Sequence, residues 1–356
     1  MIKYLGSKRR LVPVLGAVRS ITGARTAVDL FTGTTRVAQA WRTDGCVVTA
    51  VDSARYAEAF ARTYVATELT PARRRKLGLA LADLAARPPA DGYVTEVFCR
   101  QARYFQPPNG ARIDAIRDAI ACDYPGTWLE PVLLTALIEA ADRVDSTTGV
   151  QMAYLKEWAT RSAKPLELRA PEVPTGPIGV AVRADAVDAV TAVPAVDLAY
   201  LDPPYNQHRY TANYHVWETL AAWDEPAHYG VACKRVELRD PAHRSVFNDR
   251  RRMPGALREC VKGVDAGVVA VSYNDEAWVS LDELVDMCSA RGPVTVLAFD
   301  SRRYVGATIG IHNPAGEKVG RVSHVRNTEY IVVAGDLSAR QRRALRELRD
   351  PAVIAP

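Results

Sequence analysis

The run Val196-Asp197-Leu198-Ala199-Tyr200-Leu201 leads directly into Asp202-Pro203-Pro204-Tyr205. A proline fixes φ, has no N–H, and keeps the residue before it out of the helical region. Two prolines in succession after an apolar run therefore end a strand in a rigid turn that has no N–H groups to continue a ladder or a helix. The aspartate at the head of that turn and the tyrosine at its tail put a carboxylate, a fixed backbone carbonyl and a flat aromatic face side by side.

Other strand ends follow the same pattern. Ala24 to Phe31 reads as an apolar strand opening into Thr32-Gly33-Thr34-Thr35 and then a helix from Arg36 to Trp41, a strand–turn–helix unit. A second strand, Val47 to Val51, ends in Asp52, about twenty residues on, where nucleotide-binding folds place an acid on a ribose hydroxyl. The alternative for Asp52 is to cap the helix that follows. Residues 180–185 and 196–201 read as further strands, ending in Asp185 and just before Asp202. Open α/β sheets bind ligands outside the carboxyl ends of their strands, so these four strand ends predict one crevice. Later strands are expected at 267–272, 294–299, 306–312 and 329–334, the last two as an antiparallel hairpin around Pro314-Ala315-Gly316.

Between these segments the periodicity changes. Residues 77–84, 113–120 and 129–144 carry apolar residues at helical spacing, broken at Pro88-Pro89, Pro107-Pro108-Asn109-Gly110 and Pro125-Gly126. The predicted organisation is a sheet domain over 1–66 and 176–336, a mostly helical insertion over 67–175, and a basic C-terminal helix and tail over 337–356.

With 48% hydrophobic and 24% charged residues, the chain has ordinary globular usage and enough length for a real core. No stretch approaches a membrane span, and Lys3, Lys8, Arg9 and Arg10 have no apolar run behind them, so a soluble, unexported, cytoplasmic protein is expected. The six cysteines show no Cys-x-x-Cys spacing and no histidine companions, which argues against zinc and against a disulfide framework, so no metal site is expected. The net charge of +5 is modest, but local runs stand out. Arg73-Arg74-Arg75-Lys76 is one. Lys234 to Arg252 holds seven basic residues against three acidic ones, with Tyr229, His243 and Phe247 interleaved or adjacent. Such runs are solvated faces or phosphate contacts, and the second, ending in Arg250-Arg251-Arg252, is the better phosphate candidate.

In that order and spacing, Lys3-Tyr4-Leu5-Gly6-Ser7-Lys8, Asp29-Leu30-Phe31-Thr32-Gly33 and Asp202 to Tyr205 resemble the N-terminal, glycine-turn and catalytic motifs of the Dam-like family of DNA adenine methylases. Residues 206–215 and 271–276 also resemble family sequence, so the likeness covers most of the chain. It implies a Rossmann-like α/β fold of the S-adenosylmethionine-dependent methyltransferase type, with a C-terminal antiparallel hairpin and the helical insertion as target-recognition region. It also implies methyl transfer from S-adenosylmethionine to the exocyclic 6-amino group of an adenine flipped out of duplex DNA. Tyr4, Lys8, Asp29, Phe31, Gly33, Asp52 and Asp185 would bind the cofactor, Lys8 towards its methionine end, Asp52 on the ribose and Asp185 on the adenine amine. Asp202, Pro203, Pro204 and Tyr205 would hold the target base, the Asp202 carboxylate and the Pro203 carbonyl each accepting one amino N–H, with the base stacked on Tyr205.

Arg209, Tyr210, Arg250, Arg251 and Arg252 are the candidates for DNA contact, with Arg103, Arg117, Arg143, Thr147, Thr148 and Lys156 as further candidates in the insertion. The implied partners are double-stranded DNA and, in a restriction–modification setting, a cognate endonuclease; a monomer is expected. Two departures stand out: Thr35 replaces the family's second glycine, and Asp145 to Gly149 replaces an asparagine-containing turn. Two rival readings remain open. One is an amino-methyltransferase acting on cytosine or on adenine in RNA; the other is a non-catalytic nucleic-acid-binding protein with a degenerate cofactor pocket.

Overall fold

The computed structural model describes residues 2–4, 6, 8–152, 154–155, 157–204, 209–302, 311–312, 318–320 and 326–348. In chain order the strands are β1 (Thr26–Asp29), β2 (Val47–Asp52), β3 (Val180–Arg183), β4 (Val196–Leu201), β5 (His228–Tyr229), β6 (Lys234–Arg235), β7 (Ala266–Asn274), β8 (Val294–Arg302), β9 (Ile311–His312), β10 (Lys318–Gly320) and β11 (Arg326–Gly335). Two compact units divide the chain: Met1–Ser7 with Thr32–Asp185 and His208–Arg244, and Lys8–Phe31 with Ala186–Gln207 and Ser245–Pro356. Strands β1 to β4, β7, β8 and β11 carry an α/β, mostly parallel, Rossmann-like architecture.

In the second unit the strand order is β1-β4-β7-β11-β8. Strands β1, β4 and β7 run parallel, while β11 lies antiparallel between β7 and β8. Leu198 to Leu201 are all buried, as expected of a central parallel strand covered on both faces. At the start of β4, Asp197 turns outward and accepts the backbone N–H groups of Arg25 and Thr26 at 2.8 and 2.9 Å and the Thr26 hydroxyl at 2.9 Å. This clasp pins the first residues of β1 to β4, and the backbone donors hold the Asp197 carboxyl below the usual range. Helices Leu281–Ser289 and Ala339–Arg346 each start with a capping box, Ser280 with Glu283 and Ser338 with Gln341.

In the first unit β2 and β3 pair in parallel, and helices Arg36–Thr43 and Arg55–Tyr64 pack on β2. Helix Arg36–Thr43 buries Val37, Ala38 and Trp41, the spacing of one apolar face. The helices Pro71–Ala86, Pro107–Asp123 and Leu129–Arg143 contain the three segments with helical spacing. They share a single core with helix Arg55–Tyr64 and helix His215–Ala222, built around Phe60, Phe98, Phe105, Leu137 and Trp217. Buried Asp114 ties this region together by accepting the N–H groups of Gly92, Val94 and Thr95 and the Thr95 hydroxyl.

The sheet edge near the C-terminus differs from the expected pairing. Residues 329–334 belong to β11, whose hairpin partner is β8, Glu329 facing Phe299 and Ala334 facing Val294. Residues 311–312 pair instead with Lys318–Gly320, and the expected strand residues 306–310 and turn 314–316 lie outside the described residues. Alternating apolar character identifies a strand but does not choose its neighbour. No helix among the described residues is long and apolar enough to cross a membrane. The same set contains no group of three or more His, Cys, Asp or Glu placed to hold a metal ion.

At the end of β11, Gly335 has φ +144°, and a Cβ there would lie 2.4 Å from the Gly267 carbonyl oxygen and 2.8 Å from Val268 Cα. Both neighbours are backbone of the paired strand β7, so neither can rotate away. Gly335→Ala is expected to destabilise the protein by about 3 kcal/mol in denaturant titration; an unchanged midpoint would show that the β7–β11 edge is looser than its register implies.

Candidate active site

At the carboxyl end of β4, Asp202 Oδ1 lies 3.1 Å from Lys8 Nζ, and Glu329 Oε2 lies 3.5 Å from the same nitrogen. The side chains come from the short helical turn Lys8–Arg10, the end of β4 and β11. They are largely withdrawn from water, with 7, 18 and 19% of the Lys8, Asp202 and Glu329 side chains exposed. Burial pushes the Asp202 carboxyl up to about 6; the Lys8 ammonium opposes that rise and the Glu329 charge adds to it. Pro203 is buried and Pro204 half-buried, while Tyr205 lies outside the described residues. Lys8, expected at the methionine end of a cofactor, has its ammonium on the carboxylate of the proline turn. In the same unit Asp29 is buried at the end of β1, opposite Tyr200 of β4. Phe31 packs edge-on against Phe247, their ring centres 4.9 Å apart.

In the first unit the glycine turn, Asp52 and Tyr4 come together. Gly33 has φ +48°, and a Cβ there would sit 3.2 Å from the Tyr4 ring; only a residue without a side chain satisfies both conditions comfortably. Its N–H donates to Asp52 Oδ2 at 2.9 Å, and Asp52 Oδ1 accepts the Ala54 N–H at 3.0 Å. Asp52 thus makes a local turn into helix Arg55–Tyr64 and anchors the glycine turn as well. Burial raises its carboxyl; the N–H groups of Ala54, Gly33 and Ser53 oppose the rise and the Asp185 charge reinforces it. Asp185 follows Ala184, whose N–H donates to the Asp52 carbonyl at 3.1 Å. Tyr4 lies in an aromatic stack, 4.6 Å from Tyr214 and 5.4 Å from Tyr210 between ring centres, with its hydroxyl 3.4 Å from that of Tyr56. Burial, then the neighbouring Tyr56 and Asp52, raises the Tyr4 phenol well above its ordinary value, so Tyr4 offers a neutral ring.

Thr35, at the position of the second glycine, has φ +61° and is fully buried. The backbone there adopts the conformation that glycine favours, at a cost of about 1–2 kcal/mol for a residue with a Cβ. The hydroxyl offsets part of that cost by donating to the Thr34 carbonyl at 2.7 Å and accepting from Gln39 Nε2 at 2.8 Å.

The basic candidates separate by environment. Arg250, Arg251 and Arg252 are exposed, and Asp249 Oδ1 accepts the N–H groups of Arg251 and Arg252, leaving their side chains outside that turn. Arg209 is half-buried and donates to the Leu238 carbonyl at 2.7 Å. Tyr210 stands in the stack with Tyr4, and a Cβ on Gly6 would lie 2.8 Å from its hydroxyl. In the helical region Arg117 is buried, donates to the Leu220 carbonyl at 2.6 Å and lies over Trp223, and Thr147 is buried against Asp145. Arg143 donates to the Glu167 carbonyl, Arg103 stacks on Trp158, Thr148 is exposed and Lys156 lies outside the described residues. Glu329 and Tyr56 belong to no local motif and carry no signal in the sequence; Tyr214 stands in the family-like stretch 206–215 and Phe247 in the basic run, neither with the contact seen here.

Against known proteins, residues 4–254 match the family model described as D12 class N6 adenine-specific DNA methyltransferase. The chain is similar to the type II methyltransferase M.NlaIII of Neisseria lactamica, at 28% identity over 316 residues, covering 85% of this chain and 92% of that protein. It is also similar, at 26% identity over 85% of its length, to modification methylase StsI of Streptococcus sanguinis and modification methylase LlaI of Lactococcus lactis subsp. lactis. It spans 49 and 51% of those two proteins, about half of each.

The Thr35 geometry separates two substitutions. Thr35→Val keeps the strained backbone and loses both hydroxyl contacts, so a loss of about 2 kcal/mol is expected. Thr35→Gly loses the same contacts but relieves the backbone, so it is expected to cost less or to stabilise. Chemical denaturation of both variants checks the order, and the reverse order would contradict the account of this turn.

Proposed function

The chain belongs to the D12 class N6 adenine-specific DNA methyltransferase family, and from that premise we propose that it transfers a methyl group from S-adenosylmethionine to the 6-amino group of a flipped adenine in double-stranded DNA. The observation that carries this reading is a desolvated carboxylate, Asp202, heading a rigid proline turn at the end of a central parallel strand. An exocyclic adenine amine is a weak nucleophile because its lone pair is delocalised into the ring. Asp202 and the Pro203 carbonyl each accept one of its N–H bonds, which draws the lone pair out of conjugation with the ring and toward the incoming methyl. The base reaches them by leaving the stack, the general route for enzymes that modify a base inside a duplex, and Tyr205 supplies the face it lies on.

The residues of the glycine turn fit the cofactor. Gly33 has no side chain where the backbone must come close to a ligand, Asp52 retains acceptor capacity beyond its two backbone contacts, and Tyr4 offers a neutral aromatic face. S-adenosylmethionine supplies the methyl as a sulfonium. Tyr4, Asp29, Phe31, Gly33, Asp52 and Asp185 are the residues we assign to its binding. Arg250, Arg251 and Arg252 meet DNA phosphates, with Arg209 and Tyr210 close in sequence to the catalytic turn. Segments 1–66 and 176–336 form the catalytic domain, the helical stretch 67–175 reads the target and 337–356 is a basic appendage. The names of the relatives, type II methyltransferase and modification methylase, support a restriction–modification role, to which we add a cytoplasmic location and a cognate endonuclease. We assign a monomer.

Asp202→Ala is expected to lower single-turnover methyl transfer by about a thousandfold or more while calorimetry shows S-adenosylmethionine affinity nearly intact; a variant keeping most of its activity would remove Asp202 from the chemistry. Replacing Arg250, Arg251 and Arg252 together by alanine is expected to weaken duplex binding and to reduce the slope of log affinity against log salt by roughly 2 to 3. An unchanged slope would place these charges in solvent only.

A further inference from the structure

We propose that Glu329 is a positioning residue of the methyl-transfer site, dividing the Lys8 ammonium between two carboxylates so that Asp202 retains its strength as acceptor for the target amine. The inference rests on the reading of Asp202 as the amine acceptor and adds a residue beyond the stretch 4–254 that the family model matches.

The geometry is specific. Lys8 Nζ has Asp202 Oδ1 at 3.1 Å and Glu329 Oε2 at 3.5 Å. Glu329 does not arrive there by the drift of a loop, because its backbone is fixed on both sides, facing Asn274 of β7 and Phe299 of β8. Lys8 and Asp202 alone would make a closed, neutral ion pair, which is sufficient to satisfy a buried ammonium. A second carboxylate in so enclosed a place adds like-charge repulsion and leaves the trio with a surplus negative charge.

That surplus has a use in the reaction. As the bond from methyl carbon to sulfur breaks and the bond to nitrogen forms, sulfur leaves as a neutral thioether and the amine carries positive charge until it releases a proton. A fixed negative charge beside the amine favours that state. Were Lys8 committed to Asp202, the carboxylate would be largely neutralised and would accept the amine N–H less strongly. Among the described residues, the buried Tyr200 phenol on the same strand also lies by Asp202, and burial and the charges of Asp202 and Asp29 hold it protonated.

The sign of the pH effect follows. A nearby like charge raises a carboxyl pKa and an opposite charge lowers it, so removing Glu329 must ease the ionisation of Asp202. For the full-length protein on a duplex substrate, the acidic limb of single-turnover methyl transfer is expected near pH 6 in the wild type, from the Asp202 carboxyl at about 6. In Glu329→Gln the limb is expected to move down by about half to one pH unit and the plateau rate to fall about fivefold, with S-adenosylmethionine affinity unchanged. Glu329→Asp should return both toward the wild type. A 13C titration of the Asp202 carboxyl, assigned by its loss in Asp202→Asn, gives the same comparison without turnover.

A limb and a carboxyl titration that both stay in place in Glu329→Gln would overturn the proposal, whatever happens to stability. So would a rate loss explained by weaker cofactor binding alone. A wild-type protein that transfers no methyl to any adenine would instead contradict the reading of Asp202, and the carboxyl titration would still decide the role of Glu329.

Discussion

The site depends on a conflict at the end of β4: a carboxylate that, in the proposed reaction, accepts an amine hydrogen most strongly when charged is held largely out of water. Burial alone favours the protonated acid. The Lys8 ammonium at 3.1 Å provides the opposing force, and the balance leaves Asp202 titrating at about 6. Much of the second unit serves this arrangement. The clasp from Asp197 locks β1 to β4, the parallel pairing of β4 with β7 fixes the strand end, and β11 carries Glu329 to the ammonium. Pro203 and Pro204 complete it, since their fixed φ and missing N–H groups end the strand and hold the shape of the turn.

A second constraint governs the first unit, where the backbone must pass close to an aromatic ring. Gly33 meets it by having no side chain, and its N–H gives the turn a second anchor on Asp52. Two positions later Thr35 occupies a backbone conformation suited to glycine, held there by its hydroxyl and Gln39. Thr35 thus stands at the family's usual glycine in a left-handed conformation that glycine favours, so the departure bears on the energy of the turn. Tyr4, Tyr56, Tyr210 and Tyr214 assemble beside it from separated parts of the chain.

What the sequence revealed was local. The strand leading to Asp202, the acid at the end of β2, the helix after the glycine turn and the helices between 71 and 143 are each written in a few consecutive residues, and each lies where periodicity and turn chemistry put it. Interactions between distant residues were not legible. Glu329 lies 321 residues from Lys8, and nothing near it in sequence distinguishes it from any polar residue on a strand. The hairpin partner of β11 was misread because alternation marks a strand without naming its neighbour. Arg117 was a candidate for DNA contact, yet Trp223 and the Leu220 carbonyl hold it inside; a long aliphatic stem lets arginine be buried wherever its head finds acceptors. The contact between Lys8 and Asp202 joins two motifs each visible alone, but only the folded chain shows that they touch.

The central claim is that this carboxylate directs a methyl group to the amino nitrogen of adenine in DNA. Modified-base sequencing of genomic DNA from a methylation-deficient host expressing the full chain tests it most directly. The account predicts N6-methyladenine confined to one short sequence context and absent from the host without the chain. A genome that stays unmodified while the folded protein accumulates, or one carrying N4-methylcytosine in its place, would contradict it.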